Sequence, residues 1–158
     1  MEKLSLDING IHEYQQNRYP YLLIDVADEV IPGKSASGYK NLTANEWFFP
    51  CHFPGDLNMP GALQLEAIVQ MSALMVLTMP GHKGKVVYLS TANNIKFSRK
   101  VLPGDRFDIM ATMTSWKRGI GACSGEGSVN GNLACRADFT IVMPDVLNQY
   151  KVLSGKDG

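Results

Sequence analysis

Charge is scarce in this chain. Only 19% of its 158 residues are Asp, Glu, Lys or Arg, and fifteen basic residues balance fifteen acidic ones. That balance removes the bulk electrostatic footprint of a nucleic-acid or membrane-surface binder, although not a local basic patch. Cysteine is scarce too. Cys51, Cys123 and Cys135 are an odd set without metal-ligand spacing, which favours a reducing compartment. Residues 1–10 carry Glu2, Lys3 and Asp7 and no apolar signal core. The longest apolar stretch, 61–79, is broken by Gln64, Glu66, Gln70, Ser72 and Thr78, so no membrane span is expected. Repeats, low-complexity tracts and Pro/Gly-rich linkers are missing as well. The expectation is one domain over residues 1–150, a frayed polar tail over 151–158 and a cytoplasmic location. A hydrophobic fraction of 45% with so little charge also suggests that a second subunit covers some apolar surface.

The elements can be placed from punctuation and period. Asp7 can cap a short helix running to about Gln16. Tyr21–Val26 reads as a strand, and a Pro32-Gly33 turn leads to a second extended run through Tyr39 and Leu42. An irregular aromatic and proline-rich stretch, Trp47–Pro60, precedes a long helix with Pro60-Gly61 at its start and Pro80-Gly81 past its end. Strand-like runs follow at Lys85–Leu89, Ile95–Val101, Arg106–Trp116, Ile120–Val129 and Leu133–Met143. Asn130-Gly131 is a two-residue hairpin signal. The long helix is apolar on nearly every face, so a sheet on one side would leave much of it wet. A curved antiparallel sheet of five or six strands wrapped around it solves the problem. This is an α+β hot-dog fold, with a flat α+β sandwich as the competitor.

The chemistry concentrates in Trp47-Phe48-Phe49-Pro50-Cys51-His52-Phe53-Pro54-Gly55 and Met59-Pro60-Gly61-Ala62-Leu63-Gln64-Leu65-Glu66-Ala67. The first segment puts a histidine in a rigid aromatic loop. The second puts a carboxylate in the second turn of the helix, among apolar neighbours that disfavour its charged form. Gln70 lies one turn on and can hold Glu66 by a hydrogen bond. At the helix start the Gly61 N–H has no intrahelical partner and can meet an oxyanion. The plainer possibilities are a structural histidine and a Glu66 paired with Arg18 or Lys96.

Together these segments resemble the 3-hydroxyacyl-acyl-carrier-protein dehydratases, chiefly the FabZ type. The resemblance also includes Arg18-Tyr19-Pro20-Tyr21-Leu22-Leu23-Ile24-Asp25, Lys40 to Glu46, Lys96-Phe97 and Pro103-Gly104-Asp105. The spacing of 66 − 52 = 14 positions between His52 and Glu66 is that of the family. Trp47, Cys51 and Asp56 are closer to the related FabA type, whereas Glu66 is the FabZ choice over aspartate. A mixed signature also fits a specialised dehydratase of polyketide or aryl-polyene synthesis. The resemblance implies a homodimer in which His52 of one subunit faces Glu66 of the other, with trimers of dimers among its members. It also puts Tyr88 where a mobile tyrosine gates the acyl tunnel, against the plain alternative of a strand aromatic.

The implied roles are His52 as base, Glu66 as acid, Gly61 as oxyanion donor and Gln70 as support. Leu63, Met71, Leu74 and Met75 are candidates to line the tunnel, against an ordinary core role. Lys96, Arg99, Lys100, Lys117 and Arg118 are candidates to dock an acidic acyl carrier protein, against simple solvated charge. No metal or organic cofactor is implied: His12 and His82 have no ligand partners at suitable spacing. Cys51 has no basic partner apart from its neighbour His52, and dehydration requires no covalent step. A hot-dog acyl thioesterase and a non-catalytic carrier-binding subunit are the functional alternatives.

Overall fold

A computed structural model describes residues 2–153. Its elements are β1 (Leu4–Leu6), α1 (Ile8–Tyr14), β2 (Val26–Ile31), β3 (Ser35–Asn41), a short 3-10 turn (Phe49–Cys51), α2 (Gly61–Leu77), β4 (Tyr88–Phe97), β5 (Arg106–Lys117), β6 (Ile120–Val129), β7 (Asn132–Val142) and α3 (Pro144–Leu153). The strands form one antiparallel sheet in the order β1-β2-β3-β5-β6-β7-β4. Its inner face holds α2, which packs against β2, β3, β5, β6 and β7. Every α2 residue from Ala67 to Leu77 is buried, as an all-round apolar helix requires. This is the hot-dog arrangement, with seven strands rather than five or six.

Local signals explain much of this. Asp7 Oδ1 accepts from the Gly10 N–H at 2.9 Å and caps α1. On β5, Phe107, Ile109 and Ala111 point inward while Met110 and Thr112 face out, a period of two. Asn130 and Gly131 have φ of 50° and 76° and close the β6–β7 hairpin. Thr78 receives the end of α2, and His82 Nδ1 bonds the Val76 carbonyl there at 2.9 Å.

Four expectations need correction. Tyr21–Val26 is not a strand; pairing starts at Val26. The backbone of Tyr21 and Leu23 is satisfied by the Gln70 side chain, so it needs no neighbouring strand. Lys85–Leu89 and Ile95–Val101 are not two strands. They meet in one irregular strand, β4, whose register shifts at Leu89/Thr91 and Asn93/Lys96. Leu4–Leu6 adds an edge strand that three residues were too few to signal. Finally, α3 starts at Pro144, with Asp145 in its first turn, and continues through the start of the expected tail; residues 154–158 lie outside the described residues.

Gly38 marks the tightest approach between layers. A Cβ there would lie 2.0 Å from the Val26 carbonyl oxygen and 2.8 Å from Met71 Cε. Gly38→Ala is therefore expected to cost at least the upper end of the about 1–3 kcal/mol typical of overpacking. The outward-facing Ser37→Ala change should stay within about 0.5 kcal/mol. Urea unfolding of the two variants checks this; equal midpoints would contradict the packing described.

Candidate active site

The histidine loop is anchored by its aromatic residues. Phe48 and Phe49 are fully buried, with ring centroids 4.8 Å apart, and Trp47 Nε1 donates to the Pro20 carbonyl at 3.0 Å. Lys40 is buried behind the loop. Its ammonium meets Glu46 at 2.9 Å and Asp25 at 3.4 Å, so the charges compensate one another. His52 is bound twice to Asn58. Its carbonyl accepts from the Asn58 N–H at 2.9 Å, and its Nδ1 lies 2.8 Å from the Asn58 carbonyl oxygen. A carbonyl can only accept, so Nδ1 carries a proton, and in the neutral ring Nε2 presents the lone pair. That is the tautomer a base needs.

Glu66 projects from the second turn of α2 into a groove of about 310 Å³. Val69, Ala73 and Leu77 line one wall, Lys85 to Leu89 the other, and Gln15 to Asn17 close the flank. Loss of hydration there holds the Glu66 carboxyl above its ordinary range, partly offset by Gln70, whose Nε2–H donates to Oε1 at 2.9 Å. Gln70 also donates to the Tyr21 carbonyl at 2.7 Å and accepts from the Leu23 N–H at 2.8 Å. The Tyr21 hydroxyl is itself held above its usual value, by burial and then by the Glu66 charge. Neither Arg18 nor Lys96 pairs with Glu66 among the described residues. Arg18 instead bonds the carbonyls of His12, Gln15 and Asn17. Gln15 donates to the Gln70 carbonyl, and its Oε1 has no partner among the described residues.

Gly61 sits at the mouth of a second hollow, about 530 Å³, with Asn58, Ala62, Gln64, Phe97, Arg99 and Lys100. A Cβ on Gly61 would come within 2.8 Å of the Phe97 ring, so packing alone already demands glycine here. Its N–H donates to no acceptor among the described residues and lies at the positive end of the helix dipole. Within one protomer the structure brings Glu66, Gln70 and Tyr88 to one groove, and His52, Asn58 and Gly61 to the other end of the helix entrance. No hydrogen bond or ion pair joins His52 to Glu66 among the described residues.

Other candidates are placed elsewhere. Leu63 and Met71 do not line the Glu66 groove, and Met71, Leu74 and Met75 are fully buried in the core. The five candidate docking cations are all exposed but split into two groups. Arg99 and Lys100 flank the Gly61 hollow with Lys96 nearby, and Lys100 pairs with Asp56 at 2.5 Å. Lys117 ends β5 and Arg118 lies in the β5–β6 turn, at the Tyr88 end of the sheet. Burial pushes the Cys123 and Cys135 thiols up to about 12 and about 11, so both stay protonated. Asn58, Tyr21, Val69, Ala73 and Leu77 were missed from the sequence. The last three share the Glu66 face at i+3, i+7 and i+11, a signal that was there to be read. A further hollow of about 550 Å³ lies among Met110, Thr112, Glu126 and Arg136 on the outer face, separated from Glu66 by the sheet itself.

Comparison with known proteins bears on the same region. Residues 16–138 match the model of the FabA-like domain family. A 3-hydroxyacyl-[acyl-carrier-protein] dehydratase FabZ of Clostridium botulinum strain Hall is 43% identical over 143 residues, covering 90% of this chain and 99% of the relative. The FabZ of Clostridium novyi is 42% identical, covering 86% and 96%. Among solved structures, the dehydratase heterocomplex ApeI:P from Xenorhabdus doucetiae aligns with a TM-score of 0.75 at 15% identity, over 92% of this chain and 97% of that one. A hypothetical thioesterase from Streptococcus pneumoniae aligns at 0.54 and 14% identity, over 72% and 80%. At those identities the structures speak to fold alone.

The displaced Glu66 carboxyl has a consequence for stability. Its folded-state value lies above the unfolded one, so its contribution is fully present below the ordinary carboxylate range and is lost as pH rises through the folded value. Glu66→Gln cannot ionise. The variant is expected to gain thermal stability relative to the parent as pH is raised from acid to neutral. Paired melting curves across that range test the sign; a gap that narrows with rising pH would refute it.

Proposed function

The chain belongs to the FabA-like family, as a hot-dog dehydratase of the FabZ type, and from that premise we propose that His52 and Glu66 eliminate water from a 3-hydroxyacyl thioester. The observation that carries this reading is a carboxyl kept above its ordinary range at the head of an apolar groove. The activity is that of a 3-hydroxyacyl-[acyl-carrier-protein] dehydratase in fatty-acid synthesis. In the proposed sequence His52 Nε2 removes the C2 proton while the thioester oxygen takes up enolate charge. The Gly61 N–H stabilises that charge, an interaction worth about 2.7–4 kcal/mol for comparable donors. The C3–O bond then breaks as protonated Glu66 delivers its proton to the departing hydroxide. The products are water and the 2-enoyl thioester. Return of the proton from the imidazolium to the carboxylate, through solvent, restores both groups.

The two side chains meet, in this reading, across a homodimer. The support is the surface of one protomer. β4 is an edge strand, and Tyr88, Leu89, Ile95 and Phe97 are exposed along it, with Phe53, Leu57 and Leu102 close to the histidine loop and the Gly61 hollow. An unpaired apolar edge of that kind calls for cover. A second copy that covers it brings its own His52 to Glu66, and assembly into trimers of dimers builds on the same pair. The partner in turnover is an acyl carrier protein held by Arg99 and Lys100 at the Gly61 hollow, and the site of action is the cytoplasm. Tyr88, on the groove wall and 59% exposed, is positioned to gate it.

His52→Ala and Glu66→Gln are each expected to lower kcat by at least about 100-fold. Products analysed by mass spectrometry separate an enoyl thioester from the free acid of a thioesterase. Co-expressing the two variants with different tags should restore activity, because a mixed dimer contains one intact pair. Mixed dimers as inactive as either parent variant would rule out a shared site. Arg99→Glu should raise KM for carrier-bound substrate several-fold and leave a simple pantetheine thioester unaffected; equal effects on both would rule out carrier docking there.

A further inference from the structure

We propose that Asn58 is a positioning residue for the base: its side chain fixes the carbonyl that keeps His52 protonated on Nδ1. The proposal rests on the reading that His52 takes the C2 proton, and adds which side chain prepares it to do so.

His52 Nδ1 lies 2.8 Å from the Asn58 carbonyl oxygen of its own protomer. That carbonyl is one half of a peptide unit whose other half is the Met59 N–H. The unit is planar and trans, so its oxygen and its hydrogen point in opposite directions. The Met59 N–H donates to the Val101 carbonyl at 2.9 Å. One rigid plane therefore joins the imidazole on one side to the Val101 backbone on the other. With that bond alone the plane could still pivot. The Asn58 side chain supplies a second attachment: its Oδ1 accepts from the Val101 N–H at 3.0 Å. An N–H can only donate, so the amide is oriented with Oδ1 toward Val101. Val101 thus engages residues 58 and 59 with both of its backbone groups. Asn58 Oδ1 stands in for the main-chain oxygen that a neighbouring strand would offer.

The rest of the anchor is firm. Met59 and Val101 are fully buried, and the Met59 carbonyl accepts from Gln64 Nε2 at 3.0 Å. Upstream of Val101, the Ser98 N–H donates to the Ala134 carbonyl at 2.8 Å and joins the segment to β7. The Asn58 N–H also donates to the His52 carbonyl at 2.9 Å, so residue 58 holds the backbone of the histidine as well as its ring. Each of these links ends on a main-chain atom that any residue type could provide, except two, those of Asn58 Oδ1 and Gln64 Nε2. Asn58 is the one next to the base.

Removing Oδ1 leaves the Val101 N–H without its partner and frees the peptide plane to turn. The ring can then exchange the Asn58 carbonyl for water and take up the Nε2–H form. In that form the lone pair faces away from the substrate. A histidine base in the wrong tautomer loses up to about 10⁴-fold in kcat, and partial loosening loses less. Substrate binding is not involved, because the ring still fills the same space.

The experiment pairs steady-state kinetics with nitrogen NMR of the full-length protein carrying 15N-labelled histidine, in alkaline buffer, with the His52 signals identified by their loss in His52→Gln. The parent should show a protonated Nδ1 and a bare Nε2. Asn58→Ala should show a share of the Nε2–H form. With 3-hydroxybutyryl pantetheine thioester its kcat should fall at least about tenfold while KM stays within about twofold. Asn58→Asp keeps the acceptor, and should restore the parent tautomer and a kcat within about threefold of the parent. Asn58→Ser, which leaves room for a water at the Val101 N–H, carries the test where Ala does not fold. A folded Ala or Ser variant with the parent tautomer or the parent kcat overturns the proposal, as does an Asp variant as slow as Ala. Each of those results, with an active parent, leaves the dehydratase reading standing. A parent that dehydrates no thioester overturns both.

Discussion

The structure depends on burying one helix that is apolar all the way round. A helix with a single apolar stripe can lie on a flat sheet with its other side in water, but α2 cannot. The curved sheet covers it from β2 to β7, and every residue from Ala67 to Leu77 leaves solvent. Closure is nonetheless incomplete along the Glu66–Leu77 face, where Lys85 to Leu89 stand off from the helix. That remaining gap is the groove. The same hydrophobic demand that folds the protein therefore leaves a partly apolar groove with one carboxyl at its head.

Incomplete closure has a second effect at the edge. β4 hydrogen-bonds to β7 on one side only, and its two register shifts and the positive φ of Asn94 keep it irregular. Such irregularity usually protects an edge from indiscriminate pairing. Here it coincides with exposed Tyr88, Leu89, Ile95 and Phe97, which is the composition of a covered surface. The low overall charge of the chain has its counterpart in this patch.

Much of the fold was legible because its signals were local. The Asp7 cap, the Pro60-Gly61 start and the alternation of β5 depend on neighbours in sequence, and each stands as the residues indicate. The misread segments were decided by contacts distant in sequence. Tyr21–Ile24 has the composition of a strand, yet the Leu23 amide and the Tyr21 carbonyl are claimed by Gln70, 47 and 49 positions away. At the site, Glu66 and Gln70 could be paired by helical spacing, and they are 2.9 Å apart. The groove wall was harder to place. Met71 is a tunnel candidate by sequence, weighed against an ordinary core role, and the approach of β3 at Gly38 places its methyl against the sheet.

The choice of glutamine as the partner of Glu66 follows from the same economy of charge. A lysine or arginine at position 70 would hold the carboxylate more firmly, but a cation that close lowers a carboxyl by about 1–3 pH units. Such a cation would oppose the upward shift that burial gives Glu66. A purely apolar neighbour would leave the carboxyl high but free to rotate. Gln70 avoids both outcomes. Its amide donates one hydrogen bond to Glu66, which lowers the carboxyl against the larger upward effect of burial, while its other contacts, to Tyr21 and Leu23, hold the amide in place. Because Tyr21 and Leu23 continue into Asp25, which meets Lys40 and through it Glu46, the support of Glu66 and the segment leading into the histidine loop are linked through polar contacts. A neutral donor thus holds Glu66 on one side, and a self-compensated ion cluster backs the histidine loop on the other.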